Sequence, residues 1–470
     1  MARVDEGERR AGIDPWIVIT SVLLLAAGIA IIYSTSQPSA PSSDPLYFVK
    51  HQILFAVIAM IVFLVASVID YHVWMRFAWP MYVVGFLLLA LVIVHGHSAL
   101  GAQRWIQVGS IQIQPSEFAK LVYVIVMATI LTHRADHLGR WRELLLPALV
   151  TLVYFALVFK QPDLGTGLIF ILILAGMLFL AGMGVGRLIL IFVGGLALAV
   201  ALIWLHVTHH IPLPLIHTYQ LDRLLIFLNP QSDPTGNGWN IIQSRIALGS
   251  GGLFGTGLLH GQETQLSFLP EPFTDFVFSS LAEQLGFVGA GSVLVLYVVM
   301  VWRLLAIAGE APDVFGTLVA GGVAAMMASQ ALMNVGMAMG VLPVVGVPLP
   351  LMSAGGSSLV TTAAALGLAV NVGRQRVLAR SPERPARALP MKTLRDEKAT
   401  RRRRPGPAQV PVTASPVPAL ATAEGPRQAS REEAVRGART SESRRARAGR
   451  RPGRRAQDLD EDTGLPRDEP

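Results

Sequence analysis

The chain has no cysteine among its 470 residues, which excludes disulfides, thiolate metal sites and cysteine nucleophiles. Charged residues are also scarce, at 15%, whereas 52% of the residues are hydrophobic. A composition of this kind is typical of membrane proteins and not of a series of soluble domains. We also find no internal repeat that would indicate a solenoid or an array.

The few charged residues are unevenly distributed. Residues 374–470 hold 24 of the 39 Lys and Arg residues and 13 of the 31 Asp and Glu residues, a net charge of +11, whereas residues 1–373 carry −3. Nucleic-acid-binding proteins place positive charge on a folded domain, so we expect no nucleic-acid partner. Because residues 374–470 are rich in Arg and Pro and offer little to bury, they are predicted to be a disordered cytoplasmic tail.

Long hydrophobic runs fill the rest of the chain. A helix needs about 20 apolar residues to cross the hydrocarbon layer, and its backbone groups must pair internally there. Ten such segments can be drawn, near residues 15–35, 49–69, 76–95, 116–132, 144–160, 165–182, 187–205, 276–303, 314–340 and 353–372. The predicted fold class is an all-α polytopic membrane protein with about ten transmembrane helices.

Basic residues in short loops indicate the orientation of these helices. If residues 1–14 are cytoplasmic, the other basic positions follow on the same side, namely Arg76, Arg134, Arg140, Arg142, Arg187, Arg303 and the tail. Both termini are then cytoplasmic. One large outer loop, residues 206–275, lies between spans seven and eight, and a shorter one lies near 96–115. Since the large loop keeps many apolar residues, we expect it to pack and to carry function.

Ionisable residues near the membrane are candidate functional groups, because burying them is costly. Glu117 and Lys120 are three residues apart and therefore share one face of a helix. They form either a neutralising ion pair that locks two helices or the polar wall of a ligand cavity. Asp163 follows Pro162 at a turn between two spans, where it is placed to cap the next helix. Asp275 opens span eight and is equally compatible with a helix cap or a catalytic base.

Three further patterns are open to a functional interpretation. The stretch Gly249–Gly257 is glycine-rich like a phosphate-binding loop, but its spacing differs from the dinucleotide fingerprint and no βαβ unit surrounds it. His206 and His210 are spaced as metal ligands on a helix, yet we interpret them as interfacial histidines. The proline-rich stretch 342–350 cannot form a regular helix, so at membrane depth it must line a cavity or pack on protein.

Taken together, several motifs resemble those of the SEDS family (RodA/FtsW) in order and spacing over residues 15–374. They are Gly101–Ile106, Gln114–Lys120, Gln161–Thr166, Ile242–Gly255, Thr274–Phe276, Asn334–Met337 and Pro343–Ser357. The stretches Tyr219–Arg223, Asn240–Ser244, Gly261–Leu266 and Phe268–Glu271 are closer to the RodA elongation branch than to the FtsW division branch. Two positions depart from the family pattern, because Phe273 replaces its usual histidine and Ala354 follows Ser353.

The resemblance implies a peptidoglycan glycosyltransferase that polymerises lipid II, the undecaprenyl-pyrophosphate disaccharide-pentapeptide, for cell elongation and shape or for division. It also implies a class B penicillin-binding protein and other cell-wall synthesis proteins as partners, besides membrane lipids. Asp275 is the expected catalytic base. The expected substrate and cavity residues are Glu117, Lys120, Arg104, Asp163, Gln243, Arg245, Arg223 and Ser353. Cations among these, or a divalent ion such as Mg²⁺, would stabilise the leaving pyrophosphate.

Two other functions fit a polytopic chain with intramembrane polar residues. A lipid II flippase or another transporter would use them as a transport path, although here they cluster towards the outer face and do not extend across the midplane. A non-enzymatic scaffold for the penicillin-binding protein is the second alternative. It would tolerate the loss of Asp275.

Deleting residues 385–470 tests the role assigned to the tail. Its arginines should be attracted to the anionic cytoplasmic leaflet by about 1 kcal/mol for each basic residue near the surface. We expect the truncated protein to polymerise lipid II normally in vitro but to change its localisation or partner binding in cells. A truncated protein that reconstitutes normally and makes no glycan would show that the tail is more than an accessory.

Overall fold

The computed structural model describes residues 13–37, 44, 46–99, 102–108, 111–135, 138–209, 223 and 225–380. The prediction of a disordered tail therefore lies outside the described residues from position 381 onwards, and the N-terminal segment lies outside them up to position 12. Within the large predicted outer loop, residues 210–222 and 224 are also outside the description.

Helices form most of the described chain. They are α1 (Pro15–Ser36), α2 (Tyr47–Val68), α3 (Tyr71–His95), α4 (Pro115–Arg134), α5 (Leu145–Lys160), α6 (Leu164–Leu180), α7 (Val185–His209), α8 (Asn237–Ser250), α9 (Gln262–Gln265), α10 (Val277–Gly309), α11 (Val314–Ala338) and α12 (Gly356–Arg380). Short 3₁₀ turns occupy Trp141–Leu144 and Pro230–Ser232. Three strands, β1 (His97–Ala99), β2 (Ala102–Val108) and β3 (Ile111–Ile113), lie between α3 and α4.

The membrane-spanning architecture is confirmed. Nine helices in the described ranges are long and apolar enough to cross a membrane, and α6 is a shorter apolar helix of 17 residues. Each of the ten predicted spans coincides with one of these helices. The last span is longer than predicted, because α12 includes residues 374–380, which the composition had assigned to the tail. Near its end, Arg374 donates a 2.9 Å hydrogen bond to the carbonyl of Ser67.

Capping residues fix where several helices begin. The Asp14 carboxylate accepts hydrogen bonds from the amides of Trp16 and Ile17 at the start of α1, where Pro15 has no amide hydrogen to satisfy. Asp313 accepts a 2.7 Å bond from the amide of Gly316 and caps α11. These caps account for the agreement between the predicted and observed first residues of α1 and α11, whereas α3 begins five residues earlier than predicted.

Burial separates central helices from peripheral ones. In the apolar stretches of α4, α11 and α12, 78% of the residues are buried, against 6% in α7. The exposed faces of α2, α3 and α7 are apolar and would be unfavourable in water. They are therefore the surfaces that face the bilayer. Two of the connections that form the site described below adjoin the central helices, namely the strands before α4 and the irregular stretch between α11 and α12.

A small antiparallel sheet, β1-β2-β3, accompanies the helices, and the predicted all-α architecture is confirmed because most of the regular structure in the described residues is helical. In the β2–β3 pair, Ile106 lies opposite Ile113 and Val108 lies opposite Ile111. The sequence alternates apolar and polar residues here with a period of two, and Gly109-Ser110 separates the two runs. This signal was too short to stand out beside the helical runs.

Helix α10 is broken at Gly286, which has φ of 67° and ψ of −167°. Here the amides of Thr256 and Gly257 donate 3.0 Å hydrogen bonds to the carbonyls of Glu283 and Gln284. Beyond the break, the amide of Phe287 donates to the carbonyl of Gly252 at 2.8 Å. The glycine-rich stretch Gly249–Gly257 therefore pairs backbone groups that the helix cannot pair itself. A side chain at Gly286 would place its Cβ 2.6 Å from the Leu253 carbonyl oxygen.

The proline-rich connection between α11 and α12 packs on protein, as predicted for irregular backbone at this depth. Its side chains Val345, Val347 and Leu349 are buried. The amide group of Asn334 in α11 donates 2.8 Å hydrogen bonds to the carbonyls of Val347 and Asp275. This one side chain thereby ties the connection to the segment that precedes α10.

Candidate functional site

Four connections between helices meet at one end of the bundle, which the charge pattern predicts to be the outer end. They are strand β2, the turn between α5 and α6, the segment before α10, and the connection between α11 and α12. Between them lies a cavity of about 170 Å³, whose polar lining includes Arg104, Gln114, Arg223, Glu271, Asp275 and Ser357. The site thus combines two carboxylates with two guanidinium groups.

Asp275 presents its carboxylate to this cavity and does not cap α10. The cap position belongs to Phe276, and no side chain makes a capping hydrogen bond there. The backbone carbonyl of Asp275 accepts the bond from Asn334, which holds the residue in place without engaging its carboxylate. The alternative that Asp275 serves as a helix cap is therefore wrong.

The surroundings of Asp275 make it a weak acid. The pKa of its carboxyl group is raised from 3.8 to about 6, mainly because removal from water disfavours the charged form. The negative charges of Glu271 and Asp163 contribute to this rise, whereas the positive charges of Arg104 and Arg223 oppose it. A carboxylate with a pKa in this range is ionised at neutral pH and is also able to take up a proton.

Arg104 is held by the turn between α5 and α6. Its guanidinium donates to the carbonyl of Pro162 and lies 3.7 Å from the carboxylate of Asp163. Asp163 in turn caps α6, because it accepts bonds from the amide of Thr166 at 3.2 Å and from its hydroxyl at 2.8 Å. The predicted capping role of Asp163 is confirmed, and the same carboxylate also orients Arg104.

Arg223 reaches the cavity from the large loop. It donates a 3.1 Å hydrogen bond to the carbonyl of Val344 in the α11–α12 connection. The loop and the connection are 121 positions apart in the chain, so the arginine joins them across the mouth of the cavity.

Gly346 forms the wall between Arg104 and Asp275. Its φ is +69°, a conformation that favours glycine. A Cβ atom built at this position would lie 3.3 Å from Arg104 Nη1 and 3.3 Å from Asp275 Oδ2. Bare backbone here therefore leaves both charged groups room to face the same space.

Ser353 positions the segment that carries Asp275. Its hydroxyl donates a 2.6 Å hydrogen bond to the carbonyl of Thr274 and accepts a 2.8 Å bond from the amide of Leu349. Next to it, the amide of Ala354 donates to the carbonyl of Phe273 at 2.8 Å. The ring of Phe273 packs against Phe48 of α2, with ring centroids 4.8 Å apart. The residue that replaces the expected histidine thus makes an apolar contact with a neighbouring helix.

Of the eight predicted substrate and cavity residues, Arg104 and Arg223 line the cavity. Asp163 and Ser353 are outside the lining but contact residues of it, Asp163 beside Arg104 and Ser353 bonded to Thr274.

The side chains of the other four predicted residues have no such contact with the lining among the residues described. Glu117 and Lys120 are buried in the first turns of α4, where their charged groups pair at 2.8 Å. Gln243 is buried in α8, and the exposed Arg245 donates a 2.8 Å bond to the carbonyl of Gly340. The ion pair between Glu117 and Lys120 is confirmed, but the expectation that it locks two helices is not, because both residues belong to α4. A direct cavity role for these four residues finds no support, because their side chains are engaged or buried elsewhere.

Glu271 is the charged cavity residue that sequence reasoning missed, and Gln114 and Ser357 are polar cavity residues that it also did not select. Glu271 lies between Pro270 and Pro272 with φ of 46°, and its carboxylate accepts a 2.8 Å hydrogen bond from the hydroxyl of Thr274. Its place inside the Phe268–Phe276 motif was visible in the sequence, but nothing there distinguished it from a solvated loop residue. Across the residues described, no three His, Asp or Glu side chains gather as a metal cluster. The expected divalent cation stays a prediction.

Comparisons with known proteins are consistent with this geometry. A family described as cell cycle proteins, named for FtsW, RodA and SpoVE, matches residues 15–377. Stage V sporulation protein E of Bacillus subtilis is 39% identical over 367 residues, covering 77% of this chain and 97% of that protein. The peptidoglycan glycosyltransferase MrdB of Escherichia coli is 36% identical over 372 residues, covering 77% of this chain and 94% of that protein.

Solved structures give the same picture. A chain of a peptidoglycan synthase complex that coordinates polymerization and crosslinking aligns with a TM-score of 0.64 at 34% identity, covering 78% of this chain and 98% of that one. The rod shape determining protein RodA of Thermus thermophilus aligns with a TM-score of 0.57 at 30% identity and the same coverage.

The Glu117–Lys120 pair predicts a distinctive pattern of stability. Glu117→Gln or Lys120→Met alone leaves a buried charge without its partner, which costs about 3–5 kcal/mol, whereas the double substitution removes both charges. We expect thermal unfolding in detergent to show each single variant less stable than the double variant. The matched control is the partly exposed pair Arg134–Glu143, where the same cycle should give a coupling of about 0–1 kcal/mol. Additive losses at Glu117 and Lys120 would mean that the two charges do not stabilise each other.

Proposed function

Because this chain belongs to the family of FtsW, RodA and SpoVE cell cycle proteins, we propose that it polymerises lipid II with Asp275 as its general base. It is a multi-pass membrane protein and a peptidoglycan glycosyltransferase that serves cell shape or division. The observation that carries the catalytic assignment is the cavity in which the Asp275 carboxylate faces Arg104 and Arg223.

Glycan polymerisation needs one base and a stabilised leaving group. The acceptor sugar hydroxyl loses its proton as its oxygen attacks the anomeric carbon of the donor, and the bond from that carbon to the pyrophosphate oxygen breaks with inversion. Asp275 takes up this proton. Its raised pKa suits the task, because the ideal base titrates near the working pH.

The two arginines supply positive charge where the pyrophosphate leaves. Arg104 is oriented in advance by Pro162 and Asp163, and Arg223 by Val344, so little reorganisation is needed as negative charge develops. A divalent cation such as Mg²⁺ bound to the pyrophosphate would add to this stabilisation.

Gln114 and Ser357 also line the cavity, where the backbone amide of Gln114 donates a 3.1 Å hydrogen bond to the Ser357 hydroxyl and the Gln114 side-chain amide donates one of 3.1 Å to Ser116. This bonded pair is the polar surface that would face the sugar and peptide portions of the substrate.

The proposal extends to the setting of the enzyme. Basic residues in the short loops favour a plasma-membrane protein whose termini are cytoplasmic and whose cavity opens on the outer face. The likeness to a chain of a synthase complex supports a class B penicillin-binding protein as partner, since crosslinking requires a second activity. The motifs closer to the RodA branch favour a role in elongation.

Asp275→Asn is the decisive substitution. Asn keeps the size of the side chain but cannot take up the proton, so lipid II polymerisation should fall by about 10²–10⁴-fold. The measurement supplies lipid II on the accessible side of the purified, reconstituted protein and follows polymer length. Asp233→Asn, in the same loop but outside the cavity lining, is the matched control and should retain activity. Normal polymerisation by a folded Asp275→Asn protein would refute the assignment, and translocation without polymer would identify a transporter.

The pKa of Asp275 also predicts a pH dependence. Only the ionised carboxylate accepts a proton, so the rate should be constant above pH 6 and should fall roughly tenfold per unit below it. Initial rates of polymerisation over the acid range measure this, with the unfolding midpoint followed in the same buffers. A rate that stays flat through pH 6 while the protein remains folded would exclude a base with this pKa.

A further inference from the structure

The break in α10 leaves a short half-helix, residues 277–285, whose carboxyl end lies inside the protein. The end of a helix where carbonyls are left over carries partial negative charge. Thr256 and Gly257 satisfy the carbonyls of Glu283 and Gln284, but these backbone amides add no full positive charge. This end of the half-helix is therefore an unfavourable place for an anion and a favourable one for a cation.

Two carboxylates nevertheless meet there. Glu283 is fully buried, and one of its oxygens accepts a 2.7 Å hydrogen bond from the backbone amide of Glu263. Its other oxygen, Oε2, and Oε2 of Glu263 are both buried, and neither has a donor at normal hydrogen-bond geometry in the described part of the chain. Thr264 lies close enough to interact weakly with the Glu283 carboxylate. None of the ion pairs between described residues includes either carboxylate.

A third oxygen lies in the same neighbourhood. The amide nitrogen of the buried Gln284 donates to the hydroxyl of Thr264 at 3.5 Å, and its amide oxygen has no donor among the described residues. The Thr264 hydroxyl and Glu283 Oε2 both approach Gly261, where an added Cβ would lie 2.6 Å from one and 2.7 Å from the other. The Glu283 carboxylate therefore lies beside the Thr264 hydroxyl, to which the side chain of Gln284 donates.

Buried acceptor oxygens without donors are costly, and a buried charge without a partner costs more. Hard divalent cations bind carboxylate and amide oxygens, and broken helices in membrane proteins use their carboxyl ends to coordinate cations. We propose that the break in α10 is a binding site for one hard divalent cation of the Mg²⁺, Ca²⁺ and Mn²⁺ class, held by Glu263, Glu283 and Gln284.

The site is separate from the cavity but joined to it through the chain. The carbonyl of Glu263 accepts 3.0 Å hydrogen bonds from the amides of Phe268 and Leu269, at the start of the segment that leads to Asp275. On its other side, Gln265 donates a 2.7 Å bond to the carbonyl of Ser34 in α1. A cation here would fasten the large loop to α1 and α10, so binding should stabilise the fold.

Manganese binding to the full-length protein tests this site without any substrate. The protein is treated with EDTA in detergent, and Mn²⁺ binding is then followed by electron paramagnetic resonance. We expect about one ion per chain, displaced by Mg²⁺ or Ca²⁺ and not by Na⁺. Glu283→Gln and Glu263→Gln should each weaken binding by at least roughly tenfold, the loss that even outer-shell partners of a metal cause.

Two controls separate this site from others. Asp275→Asn tests the cavity, and Glu143→Gln tests an unrelated carboxylate in a partly exposed ion pair; both should bind Mn²⁺ like the unchanged protein. Mn²⁺ should also raise the unfolding midpoint of the unchanged protein and not that of the two glutamine variants. If Glu283→Gln does not fold, the less buried Glu263→Gln carries the comparison.

Three results would overturn the proposal. They are the absence of saturable binding, unchanged Mn²⁺ affinity in the glutamine variants, and loss of binding in Asp275→Asn instead. None of them bears on polymerisation, because the measurement contains no lipid II. The cation site and the catalytic assignment therefore fail independently.

Discussion

Irregular backbone at membrane depth must find hydrogen-bond partners without water, and this constraint shapes the site. The carbonyls of Pro162 and Val344 are satisfied by Arg104 and Arg223. The carbonyl of Asp275 itself is satisfied by Asn334. The side chains that pair these carbonyls thus also fix two cations and one carboxylate around a shared cavity. The same few hydrogen bonds stabilise the irregular backbone and hold the charged side chains of the cavity in position. These charged groups are therefore preorganised before substrate arrives.

The same constraint explains the second irregular region. The break in α10 exposes backbone groups that the glycine-rich stretch Gly249–Gly257 pairs, and this pairing brings Glu263 beside Glu283. In the cavity, the positive charges of Arg104 and Arg223 lower the pKa of Asp275. At the break, no ion pair among the described residues joins a basic side chain to Glu263 or Glu283. The two regions therefore differ in what they can bind. One is suited to a pyrophosphate and a sugar hydroxyl, the other to a metal cation.

The sequence was most informative where the signal is local. Apolar runs located the ten spans, and the Thr274–Phe276 motif identified Asp275. Hydrogen bonds between residues far apart in the chain could not be predicted from the sequence. One example is the bond from Arg245 to the carbonyl of Gly340, two residues that lie 95 positions apart. Glu271 was missed for a different reason: it lies four residues before Asp275, but nothing in the sequence shows that both side chains line one cavity. The family motifs grouped Glu117 with the site, although its partner is Lys120.

We propose Asp275 as the group that takes up a proton during catalysis. The charges of Glu271, Arg104 and Arg223 help to set its pKa. The Glu271 charge raises the pKa of Asp275, and Glu271→Gln removes this charge while keeping an oxygen that can accept the Thr274 hydrogen bond. The most direct measurement compares the midpoint of the acid limb of the polymerisation rate in the two proteins. The account predicts a lower midpoint in Glu271→Gln with a similar rate at neutral pH. An unchanged midpoint would contradict it, because the titrating group would then lie outside this cavity.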